Sequence, residues 1–196
     1  MKAKNKQSVG LLGLQGAFRD HMIHLEALGA AWRVVRDAED LAAVDRLIIP
    51  GGESTVMTRY LKRFSMLEAL RARIAAGMPV WGVCAGSILL AETVDGGPGP
   101  VGSLAVGVLR NAYGRQVDSF QAAVDVPALS LSGFPAVFIR APKIVAVDGG
   151  VEILGRLDRD PVFIRSGAVM ATTFHPELTG FHEFHRFFLG ISGGAV

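Results

Sequence analysis

The chain has little cysteine, no long apolar run and no large excess of either charge, and each of these absences excludes a class of protein. The single cysteine, Cys84, cannot form an internal disulfide, which fits a reducing cytosol. No stretch approaches the ~20 apolar residues of a membrane span, and the apolar run over residues 9–14 is too short for a signal peptide. Lys and Arg total 20 against 18 Asp and Glu, without a basic run. We therefore expect a cytoplasmic protein that binds neither membrane nor nucleic acid.

The composition and the apolar pattern favour an α/β fold. Half of the residues are hydrophobic and 24 are glycine, so the chain can bury a sizeable core and turn tightly. Strand-like segments alternate with segments of helical periodicity in the first half, which is typical of a parallel sheet covered by helices. The predicted strands are 9–14, 31–35, 46–49 and 79–83, and the predicted helices begin near Phe18, Asp37 and Ser65. Ser65 and Glu68 have the spacing of a capping box.

The pattern changes after Thr93. Residues 95–100 are rich in Gly and Pro and predict a loop. The remaining predicted elements are short strands at 104–109, 119–124, 136–139, 151–157, 161–165 and 169–174, and a helix over 182–189. These strands predict antiparallel additions to the sheet. We expect a three-layer sandwich with a mostly parallel central sheet, in one domain over 9–189 between flexible tails at 1–8 and 190–196.

Cys84 lies in Gly-Val-Cys-Ala-Gly, directly after a predicted buried strand. A nucleophile between two glycines at a strand-to-helix junction is typical of a nucleophile elbow. The glycines leave room for a sharp turn, and the unpaired N–H groups of the next helix favour a negative charge there. A lone cysteine without such a context would more simply be a core residue. This context predicts that Cys84 is a catalytic nucleophile.

Two further groups also follow predicted strands and therefore belong at the same edge of the sheet. His175 can exchange a proton with the nucleophile, and Glu177, two residues on, can orient the His175 ring. The N–H of Ala85 and a glycine N–H, that of Gly52, can stabilise an oxyanion. The predicted chemistry is thiolate attack on a carboxamide, release of ammonia, and hydrolysis of a thioester. The order nucleophile–His–acid argues against a lipase-like enzyme.

The other histidines predict no metal site. His182 and His185 superficially resemble a zinc helix, but they are three rather than four residues apart. We expect them on a partly exposed helix face, and we expect His21 and His24 on the surface of the first helix.

With these residues identified, the chain resembles the class I (triad) glutamine amidotransferases. Within them it is similar to the family of glutaminase subunits of pyridoxal 5′-phosphate synthase, from residue 9 to about 189. The motifs that carry the resemblance are Gly-Leu-Gln-Gly-Ala at 13–17, Pro-Gly-Gly-Glu-Ser-Thr at 50–55, Cys-Ala-Gly at 84–86, Asn-Ala-Tyr-Gly-Arg-Gln-Val-Asp-Ser-Phe at 111–120, Phe-Ile-Arg-Ala-Pro at 138–142 and Phe-His-Pro-Glu-Leu-Thr at 174–179. Ser87 departs from the larger apolar residue that is usual there, and Tyr113 stands where Phe is common.

The resemblance implies hydrolysis of L-glutamine to glutamate and ammonia by Cys84, His175 and Glu177, without a metal or cofactor. It implies a partner, the synthase subunit, which uses the ammonia to build pyridoxal 5′-phosphate. The residues that it implies for holding glutamine are Gly51, Gly52, Glu53, Arg110, Ile139 and Arg140. Guanidinium groups suit the α-carboxylate of glutamine, and a carboxylate or carbonyls suit its α-ammonium.

Gln15 and Gly16 follow the first strand, so we expect them at the active edge of the sheet. A glycine there permits alternative peptide orientations, and a partner that docks near Arg19 could select the one that completes the oxyanion hole. Three alternatives stay open: a glutaminase of another pathway, such as histidine synthesis; a cysteine peptidase or stress-type protein of similar fold; and a non-catalytic binding subunit.

Overall fold

Residues 7–110, 112 and 119–193 are described by the structure, a computed structural model. The strands are β1 (Ser8–Leu12), β2 (Ala31–Val35), β3 (Arg46–Ile49), β4 (Val80–Val83), β5 (Ala91–Val94), β6 (Gly97–Pro98), β7 (Leu104–Leu109), β8 (Ser119–Val126), β9 (Leu131–Ile139), β10 (Lys143–Val147), β11 (Glu152–Leu157), β12 (Asp160–Ser166) and β13 (Val169–Thr172). The helices are α1 (Phe18–Ala27), α2 (Ala38–Ala42), α3 (Ser54–Arg63), α4 (Met66–Ala75), α5 (Ala85–Leu90) and α6 (Glu183–Gly190), with 3-10 helices at Pro127–Leu129 and Pro176–Leu178. Tyr113 and most of the 111–120 motif lie outside the described residues.

The main sheet combines a parallel half with an antiparallel half. Within the described residues its strand order is β2-β1-β3-β4-β13-β12-β11-β8-β9. The first five strands in this order, β2, β1, β3, β4 and β13, are parallel to one another. Each following neighbouring pair, beginning with β13 and β12, is antiparallel. Two apolar clusters are packed around it, one involving α2 to α5 and the other α1 and α6. The predicted α/β class and the antiparallel additions are confirmed.

A second, smaller sheet was not predicted. Its order within the described residues is β10-β7-β5-β6. The loop prediction for 95–100 was wrong at Gly97 and Pro98, which form β6 and pair with Val94 and Thr93 of β5. These strands are difficult to predict because β5 follows α5 without a loop and β6 has only 2 residues.

Two N-terminal helix caps were predicted, and one of them is present in the structure. The Asp37 carboxylate accepts a hydrogen bond from the Asp40 N–H and caps α2, as its position indicated. The predicted capping box at α4 is wrong, because Ser65 has a left-handed backbone (φ +55°) and its side chain makes no cap hydrogen bond. Glu68 pairs instead with Arg71, 2.7 Å away.

Packing continues slightly beyond the predicted domain of 9–189. β1 begins at Ser8, and the Gln7 side chain accepts a hydrogen bond from the buried guanidinium of Arg46. At the other end Gly190 completes α6 and Ile191 is buried. The rest of the two predicted tails falls mainly on residues 1–6 and 194–196, outside the described part. Among the described helices, none has the length and apolar character that crossing a membrane requires.

Candidate active site

Three adjacent parallel strands, β3, β4 and β13, end at the same edge of the main sheet. Gly51 and Gly52 follow β3, Cys84 follows β4, and His175 comes shortly after β13. Residues distant in sequence are thereby brought together, as the positions of the predicted strands had indicated. This edge is where open α/β sheets bind ligands.

The turn at Cys84 is strained and tightly packed. Cys84 has φ +48° and ψ −100°, an unfavourable conformation for a residue with a side chain, and precedes α5. Its N–H donates to the Thr172 carbonyl, 2.8 Å away, which ties the turn to β13. A Cβ on Gly86 would lie 2.2 Å from the Ile49 carbonyl oxygen, so only glycine allows this approach to β3. The Ser87 hydroxyl donates to the Cys84 carbonyl at 2.7 Å, so the polar side chain has a partner under the elbow.

His175 and Glu177 form a buried pair behind the thiol. His175 Nδ1 lies 2.7 Å from Glu177 Oε1, and both residues are buried. Burial lowers the pKa of His175, but hydrogen bonds with Cys84 and Glu177 outweigh it and raise the pKa from 6.5 to about 10. Burial opposes ionisation of Glu177, but nearby His21 and His175 lower its pKa overall. Because burial also holds His21 neutral, we assign this effect mainly to the His175 imidazolium.

A cavity of about 390 Å³ opens over His175 and Cys84. The residues that line it are Gln15, Ala17, Gly51, Gly52, Glu53, Ser54, Cys84, Ala85, Ile88, Arg110, Ile139, Arg140 and His175. The structure thus brings all six residues expected to hold glutamine to one cavity with Cys84 and His175. Glu177 lies behind His175, outside the lining. The cavity volume lies within the usual range for small-ligand sites.

Glu53 has a structural role at the start of α3, the helix cap that is the simpler interpretation of the Gly-Gly-Glu turn. Its carboxylate accepts hydrogen bonds from the Thr55 N–H at 3.1 Å and the Val56 N–H at 2.8 Å, and so caps α3. Burial acts against ionisation, but these N–H donors and the charge of Arg110 lower the Glu53 pKa overall. An ionised carboxylate has about four acceptor sites, so Glu53 can cap the helix and also accept from a ligand ammonium.

Arg110 is held by an acidic residue that sequence reasoning missed. Asp95 accepts from the Arg110 N–H at 2.9 Å and from its Nε at 2.6 Å. These hydrogen bonds and the guanidinium charge lower the Asp95 pKa. Arg110 uses Nε in this pairing, and it also lines the cavity. Asp95 was in a segment predicted to be a loop, and only its charge could have signalled this role.

Gln15 and Gly16 contact the Gly51-Gly52 turn directly. The Ala17 N–H donates to the Gly51 carbonyl at 3.0 Å, and the Glu53 N–H donates to Gln15 Oε1 at 2.8 Å. Gly16 has φ +103°, and a Cβ there would lie 2.1 Å from the Gly51 oxygen. The orientation of the Gly51-Gly52 peptide is therefore linked to the loop before α1.

The surface positions expected for several histidines are wrong. His21 and His185 have no exposed surface and His24 is 3% exposed. His21 Nδ1 pairs with His185 Nε2 and His24 Nδ1 pairs with His182 Nδ1, which offsets part of the cost of burying these rings. Helical spacing alone cannot reveal this, because the partner histidines are more than 150 residues away.

Comparison with known proteins gives concordant matches. Residues 11–191 match the model of the SNO glutamine amidotransferase family. A pyridoxal 5′-phosphate synthase subunit PdxT from Herpetosiphon aurantiacus is 50% identical over 190 residues, which cover 94% of this chain and 100% of that protein. The PdxT subunit from Dehalococcoides mccartyi is 49% identical, with 92% of this chain and 95% of that protein covered.

Solved structures agree with the sequence matches. A crystal structure of a glutamine amidotransferase aligns with a TM-score of 0.87 and 42% identity, over 93% of this chain and 97% of that chain. The structure of PurLQS from Thermotoga maritima aligns with a TM-score of 0.68 at 16% identity, over 94% of this chain and 98% of that chain, and so shares the fold.

Proposed function

Because this chain belongs to the SNO glutamine amidotransferase family, we propose that it is the glutaminase subunit of a pyridoxal 5′-phosphate synthase. It hydrolyses L-glutamine to L-glutamate and ammonia. The observation that carries this proposal is that Cys84 and His175 line the same cavity as two arginines, Arg110 and Arg140. A free amino acid with an α-carboxylate suits such a cavity.

The reaction begins with attack of the Cys84 sulfur on the carboxamide carbon of glutamine. The C–N bond then breaks, and the His175 imidazolium gives its proton to the departing nitrogen, which leaves as ammonia. Water adds to the thioester carbon while neutral His175 accepts its proton, and the C–S bond breaks to release glutamate. Glu177 holds the ring through Nδ1 and stabilises the imidazolium.

Two backbone donors stabilise the negative oxygen that forms in each addition step. Ala85 is the first residue of α5, where N–H groups have no partner within the helix. The second donor is the Gly52 N–H, at the rim of the same cavity. Removing one such donor typically raises the barrier by ~3 kcal/mol. The Ala17 N–H binds the Gly51 carbonyl, so the loop that contains Gln15 and Gly16 is tied to the peptide before Gly52. A partner that docks on this loop can therefore adjust the orientation of the second donor.

The partner is the synthase subunit, with which the chain forms a hetero-oligomer in the cytosol. The ammonia released at Cys84 is passed to this subunit for synthesis of pyridoxal 5′-phosphate. The chain itself needs no cofactor or metal for the hydrolysis, because the thiol, imidazole and carboxylate supply nucleophile, proton transfer and orientation. The relatives named as synthase subunits support this assignment.

The decisive experiment is ammonia release from L-glutamine, with and without a synthase subunit from the same organism. We expect glutamate and ammonia in equal amounts, with a higher rate in the complex. Release from a short glutamine-containing peptide serves as the comparison. Cleavage of the peptide bond without amide hydrolysis would support a peptidase, and no reaction with either substrate would support a non-catalytic binding subunit.

A further inference from the structure

Glu177 is contacted on two sides by histidines of α1 that the mechanism above does not use. His21 Nε2 lies 4.0 Å from Glu177 Oε1, and both side chains are fully buried. One turn later in α1, His24 Nε2 lies 3.0 Å from the Glu177 backbone carbonyl oxygen. The acid of the proposed triad is thus approached at its carboxylate and at its main chain by the same helix.

Each of these histidines is itself held by a histidine near the end of the chain. His21 Nδ1 lies 2.9 Å from His185 Nε2, and His24 Nδ1 lies 2.8 Å from His182 Nδ1. The rings of His24 and His185 stack at 4.2 Å with an interplanar angle of 2°. Among the described residues no group of three potential ligands is arranged to hold a metal ion, so hydrogen bonding is the function of these four rings that the structure supports.

Hydrogen-bond chemistry fixes the proton positions on the main-chain side. The carbonyl oxygen of Glu177 can only accept, so the His24 proton is on Nε2. His24 Nδ1 is then an acceptor, and the proton in its hydrogen bond comes from His182 Nδ1. This gives one donor direction, from His182 through His24 to Glu177.

On the carboxylate side, hydrogen-bond donation also runs toward Glu177. Glu177 Oε1 accepts from His175, and Oε2 has no hydrogen-bond partner among the described residues. His21 Nε2 is likewise buried and unpartnered there. A neutral His21 with its proton on Nε2 directs a donor at this anion, and its Nδ1 then accepts from His185 Nε2. The His185 Nδ1 left over is an acceptor, which costs less to leave unpaired than an ionised group.

We propose that His21 is a positioning residue of this glutaminase, which holds the Glu177 carboxylate together with His175 by donating from Nε2. The 4.0 Å separation closes to hydrogen-bond distance when substrate is bound, since catalytic hydrogen bonds are often long in ligand-free enzymes. His21 is fixed for this task by His185 and by edge-on contact with Trp81 at 5.4 Å. The inference rests on the proposed function.

The first test needs no substitution. Nitrogen–proton correlation spectra of the histidine rings in the complete protein report which ring nitrogen carries the proton. We expect His21 and His24 protonated at Nε2 and His182 at Nδ1. A His21 protonated at Nδ1 alone would have no donor for Glu177 and would overturn the proposal.

The second test compares two replacements at one position. His21→Gln keeps an N–H near the place of Nε2, whereas His21→Asn keeps polar atoms only near Nδ1. We expect His21→Asn to lower kcat about tenfold, the effect of a hydrogen bond to a charged group, with KM for glutamine little changed. His21→Gln restores most of kcat. The alkaline limb of the kcat/KM profile moves to lower pH in His21→Asn only, because a loosely held Glu177 supports the His175 imidazolium less well.

Two controls distinguish loss of positioning from loss of stability and from failure of the proposed function. Phe188→Leu, in α6 beside Trp81, destabilises the same region without a group near Glu177, and its kcat should match that of the unsubstituted protein at temperatures where it is folded. If the unsubstituted protein with its synthase partner releases no ammonia, the proposed function fails. If it is active and His21→Asn retains the same kcat and pH profile, or if both His21 variants lose activity equally, the positioning role fails.

Discussion

At the scale of single residues, the proposed chemistry depends on a sulfur carried by a backbone that strongly disfavours a side chain. Cys84 keeps φ +48° because it is held by β13 through its N–H and by Ser87 through its carbonyl. Such strain costs on the order of 1–3 kcal/mol. The strain at Cys84 should therefore change the free energy of unfolding, which can be measured separately from activity.

Two replacements of Cys84 separate these effects. Cys84→Ala and Cys84→Gly both abolish ammonia release, because each removes the attacking sulfur. Cys84→Gly should nevertheless be more stable than Cys84→Ala by about 1 kcal/mol, since glycine tolerates the positive φ. Ammonia assays and urea unfolding of the two variants measure these outcomes. More than a few per cent of residual activity would exclude Cys84 as the nucleophile.

His175 and Glu177 should differ in the size and kind of their effects. His175→Asn nearly eliminates turnover because the proton carrier is lost, whereas Glu177→Gln reduces kcat less. Cys84 and Glu177 together raise the pKa of His175 to about 10, and Glu177→Gln removes the charge of the second of them. The alkaline limb of kcat/KM should therefore move to lower pH, which a pH series of steady-state rates measures. A larger loss at Glu177 than at His175 would reverse the two roles.

Substrate affinity should depend on the two arginine side chains that line the cavity. Arg110→Ala and Arg140→Ala each raise KM for glutamine more than they lower kcat, through loss of a charged contact worth ~1.5–3 kcal/mol. Asp95→Asn raises KM by a smaller factor because Arg110 remains but is less well oriented. Glu68→Gln, which removes an exposed ion pair on α4, is the matched control and should leave KM unchanged. Unchanged KM in both arginine variants would remove them from the substrate site.

At the scale of elements, α1 and α6 are joined by neutral histidines, and this makes stability depend on pH. Burial lowers the pKa of His21, His24 and His185 below 6.5 in the folded protein. The unfolded chain therefore binds more protons than the folded chain once pH falls below about 6.5. Stability should fall as the pH decreases from 7 to 5, by up to about 1.4 kcal/mol per pH unit for each histidine.

Thermal unfolding across this pH range tests the prediction. His175 has the opposite sign, because its pKa is raised to about 10, so the stability that it contributes is lost only as pH rises above 6.5. The acid side therefore reports on the α1–α6 histidines. His185→Gln should show a shallower decrease in Tm between pH 7 and 5 than the unsubstituted protein. Parallel decreases in the two proteins would contradict the assignment.

Sequence reasoning succeeded where the signal was local and failed where the partner was distant. The strand ends at Ile49 and Val83 were predictable, because one apolar run stops at Pro50 and the other at the elbow. The capping box at Ser65 failed because this residue has a left-handed backbone, which the spacing of Ser65 and Glu68 does not reveal. Asp95 and the buried histidines could not be predicted, since their roles depend on residues that only the folded chain brings together.

At the scale of the whole molecule, we predict that the isolated chain is a poor glutaminase that its synthase partner activates. The loop before α1 is hydrogen-bonded to Gly51, so docking near α1 can reorient the peptide that carries the Gly52 donor. A shift of ~1.4 kcal/mol between the two orientations changes activity about tenfold where the competent one is minor. Steady-state ammonia release across a titration of the partner measures the response.

Gly16→Val tests the route of this activation. The added side chain meets the Gly51 oxygen at 2.1 Å and requires an unfavourable φ of +103°, so the response to the partner should be lost. Gly29→Val is the matched control, because Gly29 also has a positive φ but nothing lies near its Cβ position. Full activity without the partner, or an unchanged response in Gly16→Val, would contradict the mechanism.

The strand order also determines when the site can exist during synthesis of the protein. β13 is the last strand in the described part of the chain, yet it lies in the middle of the main sheet, between β4 and β12. Until it is inserted, the Cys84 N–H has no Thr172 carbonyl to bind and His175 is not at the sheet edge. A growing chain on the ribosome therefore carries the proposed nucleophile long before it can use it. Ammonia release begins only once the central gap of the sheet has been filled.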